Sequence, residues 1–489
     1  MNLKLNPKIV VSVVYVTAMF MAAMDATIVN VALQTISHEL QVPPSAMGTV
    51  NVGYLVSLAV FLPISGWLGD RFGTKRVFLI ALSVFTAASA LCGIADNITA
   101  LNIFRIIQGA GGGLLTPVGM AMLFRTFSPQ ERPKISRFIV LPIAVAPAIG
   151  PIVSGFFVDH MSWRWAFYIN LPFGIVALLI GALFLVEHIE KTAGRLDLPG
   201  FMLSAPGFAM LIYAMSQGPS KGWGSSEIIG TGLGGLLLII LFVFVELRVK
   251  QPMLDLCLLQ DRLFRNMSLI SLFSAAGLLG MLFIFPLMYQ NVLHASALET
   301  GLTTFPEAIG LMIASQIVPL SYKRLGPRKL ISTGLLCAAI IFVVLSFVNQ
   351  ETNPWLVRIL LFGIGFFLGH SVGAVQFSAF NNIHPSSMGR ATTIFNVQNR
   401  LGSAIGVAIL ASLLAAFGNH DVSGAGNESA SIVAYQMALL GAAVFLFIAL
   451  LFALRIRDAE VIDTSKKKTS VQSNEAHSKA AHSKAVAGE

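Results

Sequence analysis

Charge is scarce in this sequence. Asp, Glu, Lys and Arg together make up 11% of its 489 residues, whereas an ordinary soluble chain carries about 25%. Cysteine is scarcer still, at three. Cys92, Cys257 and Cys337 lie in or beside apolar segments without metal-ligand spacing, so neither a disulfide framework nor a metal centre is expected. There is no GxxxxGK followed by Ser or Thr, which argues against a pump driven by ATP. The GAGGG run at 109–113 sits inside an apolar stretch rather than after a strand, so it does not read as a nucleotide loop. No loop is long enough for a soluble catalytic domain, and no clustered nucleophiles or paired acids suggest an enzyme. No cofactor is expected.

Apolar length is abundant instead. Hydrophobic residues make up 55% of the chain, and they gather into runs of about twenty, each able to cross a ~30 Å hydrocarbon core. Fourteen such runs are predicted, at about 9–31, 47–68, 76–95, 99–124, 135–158, 166–186, 197–216, 227–247, 264–290, 301–320, 328–348, 354–380, 391–417 and 431–454. Helix is the expected form, because lipid offers backbone groups no partner and these runs are too long for barrel strands. The first run holds Asp25 and Asn30 and reads as a retained helix rather than a cleaved signal.

The net charge of +9 reads as membrane orientation, not as nucleic-acid binding. With the N-terminus placed inside, the inner segments hold 27 of the 32 Lys and Arg residues, and the outer loops hold only Arg164 and Lys221. Both termini are therefore expected to be cytoplasmic, in an inner or plasma membrane. The polar tail at 458–489 reads as disordered.

The chain also repeats itself. Arg71-Phe72-Gly73-Thr74-Lys75-Arg76 aligns with Arg324-Leu325-Gly326-Pro327-Arg328-Lys329 at an offset of 253, and Arg105 aligns with Arg358 at the same offset. Two landmarks at one spacing predict two related six-helix bundles, at 1–190 and 263–457, with two inserted helices at 191–262. A six-plus-six duplication is a common transporter plan, with the substrate path between the halves.

Few charges in the spans are unavoidable, and a charge in hydrocarbon costs about 2.5–3.5 kcal/mol at a helix centre. Asp25 and Arg105 each lie about six residues from the outer end of their spans, which at ~1.5 Å per residue puts them level, about 9 Å deep. Glu307 lies at a similar depth in the tenth span. Asp25 either forms a structural ion pair or binds and releases a proton; Arg105 reads as the charge that tunes it, and Glu307 as a second proton or cation site. The repeat mate of Asp25 is Leu278, so the charge chemistry is expected to be asymmetric. The fifth span, AVAPAIGPIVSG, carries Pro147, Gly150, Pro151 and Gly155, a density that permits a bend and close helix approach. Thr392, Asn396, Gln398, Asn399 and Arg400 open the thirteenth span, where they either line a vestibule or satisfy one another.

These motifs together resemble the major facilitator superfamily, and within it the fourteen-helix drug:proton antiporters of the EmrB/QacA type. GWLGDRFGTKR, with Gly66, Asp70, Arg71, Gly73, Lys75 and Arg76, is similar to that superfamily's loop between helices 2 and 3. FRIIQGAGGG, with Arg105, Gln108, Gly109 and Gly113, resembles its proton-coupling motif, and APAIGPIVSG resembles the antiporter motif of exporters. MDATIVNVAL and WRWAFYINLPFG look like signatures of the fourteen-helix branch. The resemblance covers about 9–455. It implies an all-α major facilitator fold and a monomer that exports lipophilic, often cationic compounds in exchange for protons. The alternative cargo is an endogenous metabolite, amino acid or lipid-like compound. It further implies that Asp25, Arg105 and Glu307 couple protons, that residues 66–76 form a gate, and that Asn30, Gln34, Gln108, Asn396, Asn399 and Arg400 are candidates to line the cavity. Lys323 stands where the second-half loop wants an acid, so Asp70 alone is left for gating charge pairing.

Overall fold

The computed structural model describes residues 6–42, 48–128, 131, 145–146, 149–150, 153–158, 160–190, 194, 196–249, 252–293, 295, 297–418 and 427–456. Polar caps set where its helices begin. Asn6 caps α1 (Pro7–Glu39) by accepting from the Lys8 amide at 3.0 Å, with Pro7 in the first turn where its missing N–H costs nothing. Asn97 caps α5 (Ile98–Thr126) through the Ala100 amide at 2.8 Å, and Asp261 caps α10 (Arg262–Asn291) through Phe264 at 2.7 Å. Between these lie α2 (Gly48–Phe61), α3 (Ser65–Phe72), α4 (Thr74–Gly93), the short α6 (Trp165–Tyr168), α7 (Asn170–Phe184), α8 (Leu198–Lys221) and α9 (Ser226–Glu246). They are followed by α11 (Ala297–Ser346), α12 (Pro354–Ser378), α13 (Met388–Gly418) and α14 (Asn427–Leu454).

Eleven of the described helices are long and apolar enough to cross a bilayer, and α2 with α3 forms one further, broken crossing bent by 53°. The run expected as continuous at 47–68 breaks at Pro63, which lies in the gap and cannot continue the helix ladder. Helix α11, with 50 residues, would reach ~75 Å at 1.5 Å per residue. It is two crossings joined at Gly326, where φ is +75°. Gly73, 253 positions earlier, also has a left-handed φ of +99°, a conformation glycine adopts without steric cost. The two halves thus turn the same corner with the same residue. The expected fifth span lies mostly outside the described residues, as does the 458–489 tail.

Helices α1, α2, α4, α5 and α7 pack on one another, and α10 to α14 pack on one another. The GAGGG run lets α5 approach two neighbours at once: a Cβ at Gly109 would sit 2.4 Å from the Tyr54 carbonyl, and one at Gly111 2.8 Å from that of Ala81. The α8–α9 hairpin lays α8 against both α2 and α13, and Trp223 Nε1 donates to Ser412 Oγ at 2.7 Å. Beside the start of α1, Lys8 Nζ meets Glu131 at 2.6 Å. Hydrogen bonds from Lys8 and Ser128 hold the Glu131 carboxyl down to about 2. A depressed carboxyl adds stability above its ordinary value and loses it as pH falls through the folded value. The tie is therefore expected to weaken below pH ~4.5 and vanish below pH ~2. A Lys8→Gln variant should return the Glu131 titration, followed by carboxyl NMR, toward the ordinary range.

Candidate functional site

The structure brings Asp25 and Arg105 together. Arg105 Nη1 donates to Asp25 Oδ2 at 2.6 Å, with both side chains 1% exposed or less. Two amides complete the cradle: Gln108 Nε2 and Asn170 Nδ2 both donate to Asp25 Oδ1, at 2.9 and 2.8 Å. Arg105 also donates to Gln108 Oε1 at 2.7 Å, and Asn170 reaches Ser89 Oγ at 2.9 Å. These groups come from α1, α4, α5 and α7, all in the first half. The carboxylate is therefore enclosed by polar donors, within a span that is otherwise apolar. Such a network makes a lone proton transfer costly, since any change must rearrange several hydrogen bonds together.

The guanidinium of Arg105 lies 4.3 Å from the Tyr54 ring centre, a cation–π contact. Across from it, on α13, Arg400 is exposed and close enough for its charge to act on Tyr54. Sequence reasoning does not single out Asn170, Ser89 or Tyr54 as members of this network. The signals in the chain are an Asn and a Ser inside otherwise apolar runs, and the place of Asn170 within the WRWAFYINLPFG motif.

The second cluster joins the halves at the Asp70 end. Asp70 is 2% exposed; Arg125 Nη2 donates to its Oδ1 at 2.7 Å. Its carboxylate also abuts the first turn of α13, where a Cβ on Gly389 would lie 2.6 Å from Asp70 Oδ1. A carboxylate at a helix N-terminus is favoured by the helix dipole, by ~0.3–1 kcal/mol. Around it, Ser65 Oγ meets Thr393 Oγ1 at 3.1 Å, Thr392 Oγ1 donates to the Pro117 carbonyl at 3.2 Å, and Phe124 packs on Phe380 with ring centres 4.5 Å apart. Gly66 is part of the same contact, because a Cβ there would meet Thr393 Oγ1 at 2.6 Å and the Gly389 carbonyl at 2.8 Å. The other loop residues face their own half. Glu187 accepts from the Lys75 and Arg76 amides at 2.9 and 3.2 Å, and Lys75 Nζ donates to the Ala182 carbonyl at 2.9 Å; Arg71 is exposed.

The remaining candidates scatter. Glu307 is buried on α11, and among the described residues its carboxylate has neither an ion pair nor a hydrogen bond. Asn396 Nδ2 reaches Met120 Sδ of the first half at 3.2 Å, while Asn399 Nδ2 donates to Ser271 within the second half at 3.0 Å. Gly150 is buried, and a Cβ on it would collide with Thr27 at 2.2 Å; Gly155 has nothing within 4 Å of that position among the described residues. Pro147 and Pro151, and the side chains of Asn30 and Gln34, lie outside the described residues. Arg358, the repeat mate of Arg105, instead stacks on Trp355 at 4.8 Å.

Long apolar helices in two packed groups, with few charged side chains among them, define a multi-pass membrane protein. The chain belongs to the Major Facilitator Superfamily, whose model matches residues 15–407. It is 31% identical over 437 residues to the multidrug resistance protein B homolog of Mycobacterium tuberculosis (strain ATCC 25618 / H37Rv), covering 88% of this chain and 81% of that protein. It is 31% identical over 400 residues to the multidrug transporter protein MdtP of Bacillus subtilis (strain 168), covering 82% and 74%. Among solved structures it superposes on the human organic anion transporter MFSD10 (TETRAN) with TM-score 0.65 at 13% identity, over 92% of this chain and 100% of that one. On the proton:xylose symporter XylE the TM-score is 0.63 at 15% identity, over 92% and 96%. At such identities these structures establish the fold alone.

Proposed function

We propose that the chain exports lipophilic, often cationic compounds in exchange for protons, by alternating access between its halves, as a fourteen-helix antiporter with both termini in the cytoplasm. The observation that carries this reading is the buried Asp25–Arg105–Gln108–Asn170 network, set in one half with Tyr54 stacked on its cation. The names of the relatives at about 30% identity, multidrug resistance and multidrug transporter proteins, support the cargo class. The contacts between α3, α5 and α13 all lie at the Asp70 end, the cytoplasmic end in this reading, so the described state is closed to the cytoplasm.

Each proton moving inward supplies ~1.4 kcal/mol per pH unit and ~2.3 kcal/mol per 100 mV for each net charge moved. Coupling requires that proton and substrate exclude one another. Protonation of Asp25 would cancel its hold on Arg105, freeing that cation to move along Tyr54 toward the cavity. Loss of the proton would draw it back. Glu307, buried without a partner among the described residues, is positioned to favour cationic cargo from the other half.

The direct test is substrate-induced quenching of a pH dye in inverted vesicles, across a panel of lipophilic cations and neutral drugs. Proton release on adding a cation is expected; no proton movement with any member overturns antiport. In Glu307→Gln, export of monovalent lipophilic cations is expected to fall about tenfold, the worth of one ion pair of ~1.4 kcal/mol, while export of neutral compounds persists. Equal loss for both classes would remove Glu307 from cation recognition.

A further inference from the structure

Arg125 faces two ways. Its Nη2 is committed to Asp70, but its Nε and Nη1 are buried without a hydrogen-bond partner among the described residues, on a side chain only 7% exposed. A guanidinium cannot shed its charge, and its planar fork suits paired contacts to an oxyanion. Leaving buried donors unpaired costs about 1–3 kcal/mol. The same side chain lines a cavity of about 50 Å³ formed where four helix ends meet, bounded by Val11, Thr74, Met122, Thr126 and Phe184, with His188 at its edge.

Three properties of this cavity select its occupant. Among the described residues that line it, Arg125 carries the one permanent charge, which is positive; the carboxylates of Asp70, Glu187 and Glu190 lie outside the lining, near enough to act on His188. One water needs ~10–15 Å³ of such space, so 50 Å³ suits a compact group of about five heavy atoms rather than a drug-sized molecule. Its walls are the ends of apolar spans, at Pro7, Thr74 and Phe184, with the exposed Leu183 and Val186 beside it. That is the depth at which lipid phosphates lie, and basic groups there gain from anionic headgroups.

The geometry points to an oxyanion site in this cavity, taking a phosphate group, from an anionic lipid head or free phosphate, on the Nε–Nη1 edge of Arg125. The occupant shares the guanidinium with Asp70, so binding draws Arg125 off the gate and eases its opening. That consequence rests on the gating role proposed for Asp70; the site itself does not. His188 supplies an independent readout. Burial, and secondarily the Arg125 charge, hold its imidazole below the ordinary value against the opposing charges of Glu190, Asp70 and Glu187, and an anion on Arg125 offsets the Arg125 charge.

The full-length protein in detergent would be titrated with inorganic phosphate and, separately, with phosphatidylglycerol followed by native mass spectrometry. The His188 titration would be read by imidazole NMR. Saturable binding is expected, with an upward shift of the His188 titration. Binding should weaken about tenfold in Val11→Phe, which fills the cavity, and in Arg125→Lys, which has no second donor edge. Response to phosphate alone assigns a soluble anion, and response to phosphatidylglycerol alone assigns a lipid; either supports the site. Equal binding by wild type and Arg125→Lys, or an unmoved His188 titration, overturns it even where Val11→Phe does not fold. If the site binds but transport is insensitive to phosphate and lipid, the link to the gate fails and the site stands.

Discussion

Asp25→Asn is expected to give a protein that inserts in the membrane but no longer pumps against a gradient. The substitution keeps the shape of the side chain and removes its charge. Arg105 is 1% exposed, and of the bonds around it only the 2.7 Å contact to Gln108 Oε1 survives with a neutral acceptor. Removing one partner of a buried ion pair typically costs 3–5 kcal/mol, because the other charge is left uncompensated. At the lower end that is roughly a 100-fold change in any equilibrium the pair controls. Active efflux should therefore fall by about that factor, while downhill substrate exchange between vesicle interior and medium continues. The ratio of the two separates coupling from folding. A second comparison sharpens it: Asp25→Asn with Arg105→Gln removes both charges, so it should recover thermal stability without recovering the pump. An Asp25→Asn protein that exports at the normal rate under a pH gradient would end the assignment of proton coupling to this residue.

How much of the molecule is legible in its sequence depends on the range of each interaction. The spans are readable because a bilayer demands about twenty apolar residues, a local requirement. The levelness of Asp25 and Arg105 follows from counting residues to the span ends. The rest of the cradle does not. Asn170 lies 145 positions from Asp25, and its place in the network depends on how α7 leans on α1 and α4, which no local pattern encodes. Arg125 illustrates the same limit. In the sequence it is one more inner positive charge; only the packing of α5 beside α3 makes it the partner of Asp70. Lys75 and Arg76 fail in the opposite direction. They belong to the most recognisable motif in the chain, yet their amides are held by Glu187 and they face their own half. What the motif positions at the seam is smaller: the Asp70 carboxylate and the absent side chain of Gly66.

That absence yields the second large effect. Gly389→Val is expected to hold the Asp70 end open. The first Cβ of the new side chain would lie 2.6 Å from Asp70 Oδ1, and on the facing helix Gly66 leaves room of the same kind, with only 2.8 Å between its own Cβ position and the Gly389 carbonyl. The buried Asp70 carboxylate can give way only by losing its 2.7 Å bond to Arg125 or by moving α3 from α13. That movement also breaks the Ser65–Thr393 and Thr392–Pro117 hydrogen bonds and parts the Phe124–Phe380 stack. Two hydrogen bonds at ~0.5–1.5 kcal/mol each and an aromatic pair at ~0.5–1.5 kcal/mol amount to about 3 kcal/mol, enough to shift a two-state equilibrium by roughly 100-fold. A cysteine placed at Met120, buried at the seam, should then react with a membrane-impermeant thiol reagent applied from the cytoplasmic side. Export should fall while the Asp25 network, in the other part of the first half, stays intact. Gly230→Ala, on α9, serves as the control, because among the described residues nothing lies within 4 Å of its Cβ position and transport should be unaffected. The contrast matters because both changes add bulk to a glycine in an apolar helix. If Gly389→Val transports normally with the seam still shut to the reagent, the contact between Asp70 and α13 is packing, not a gate.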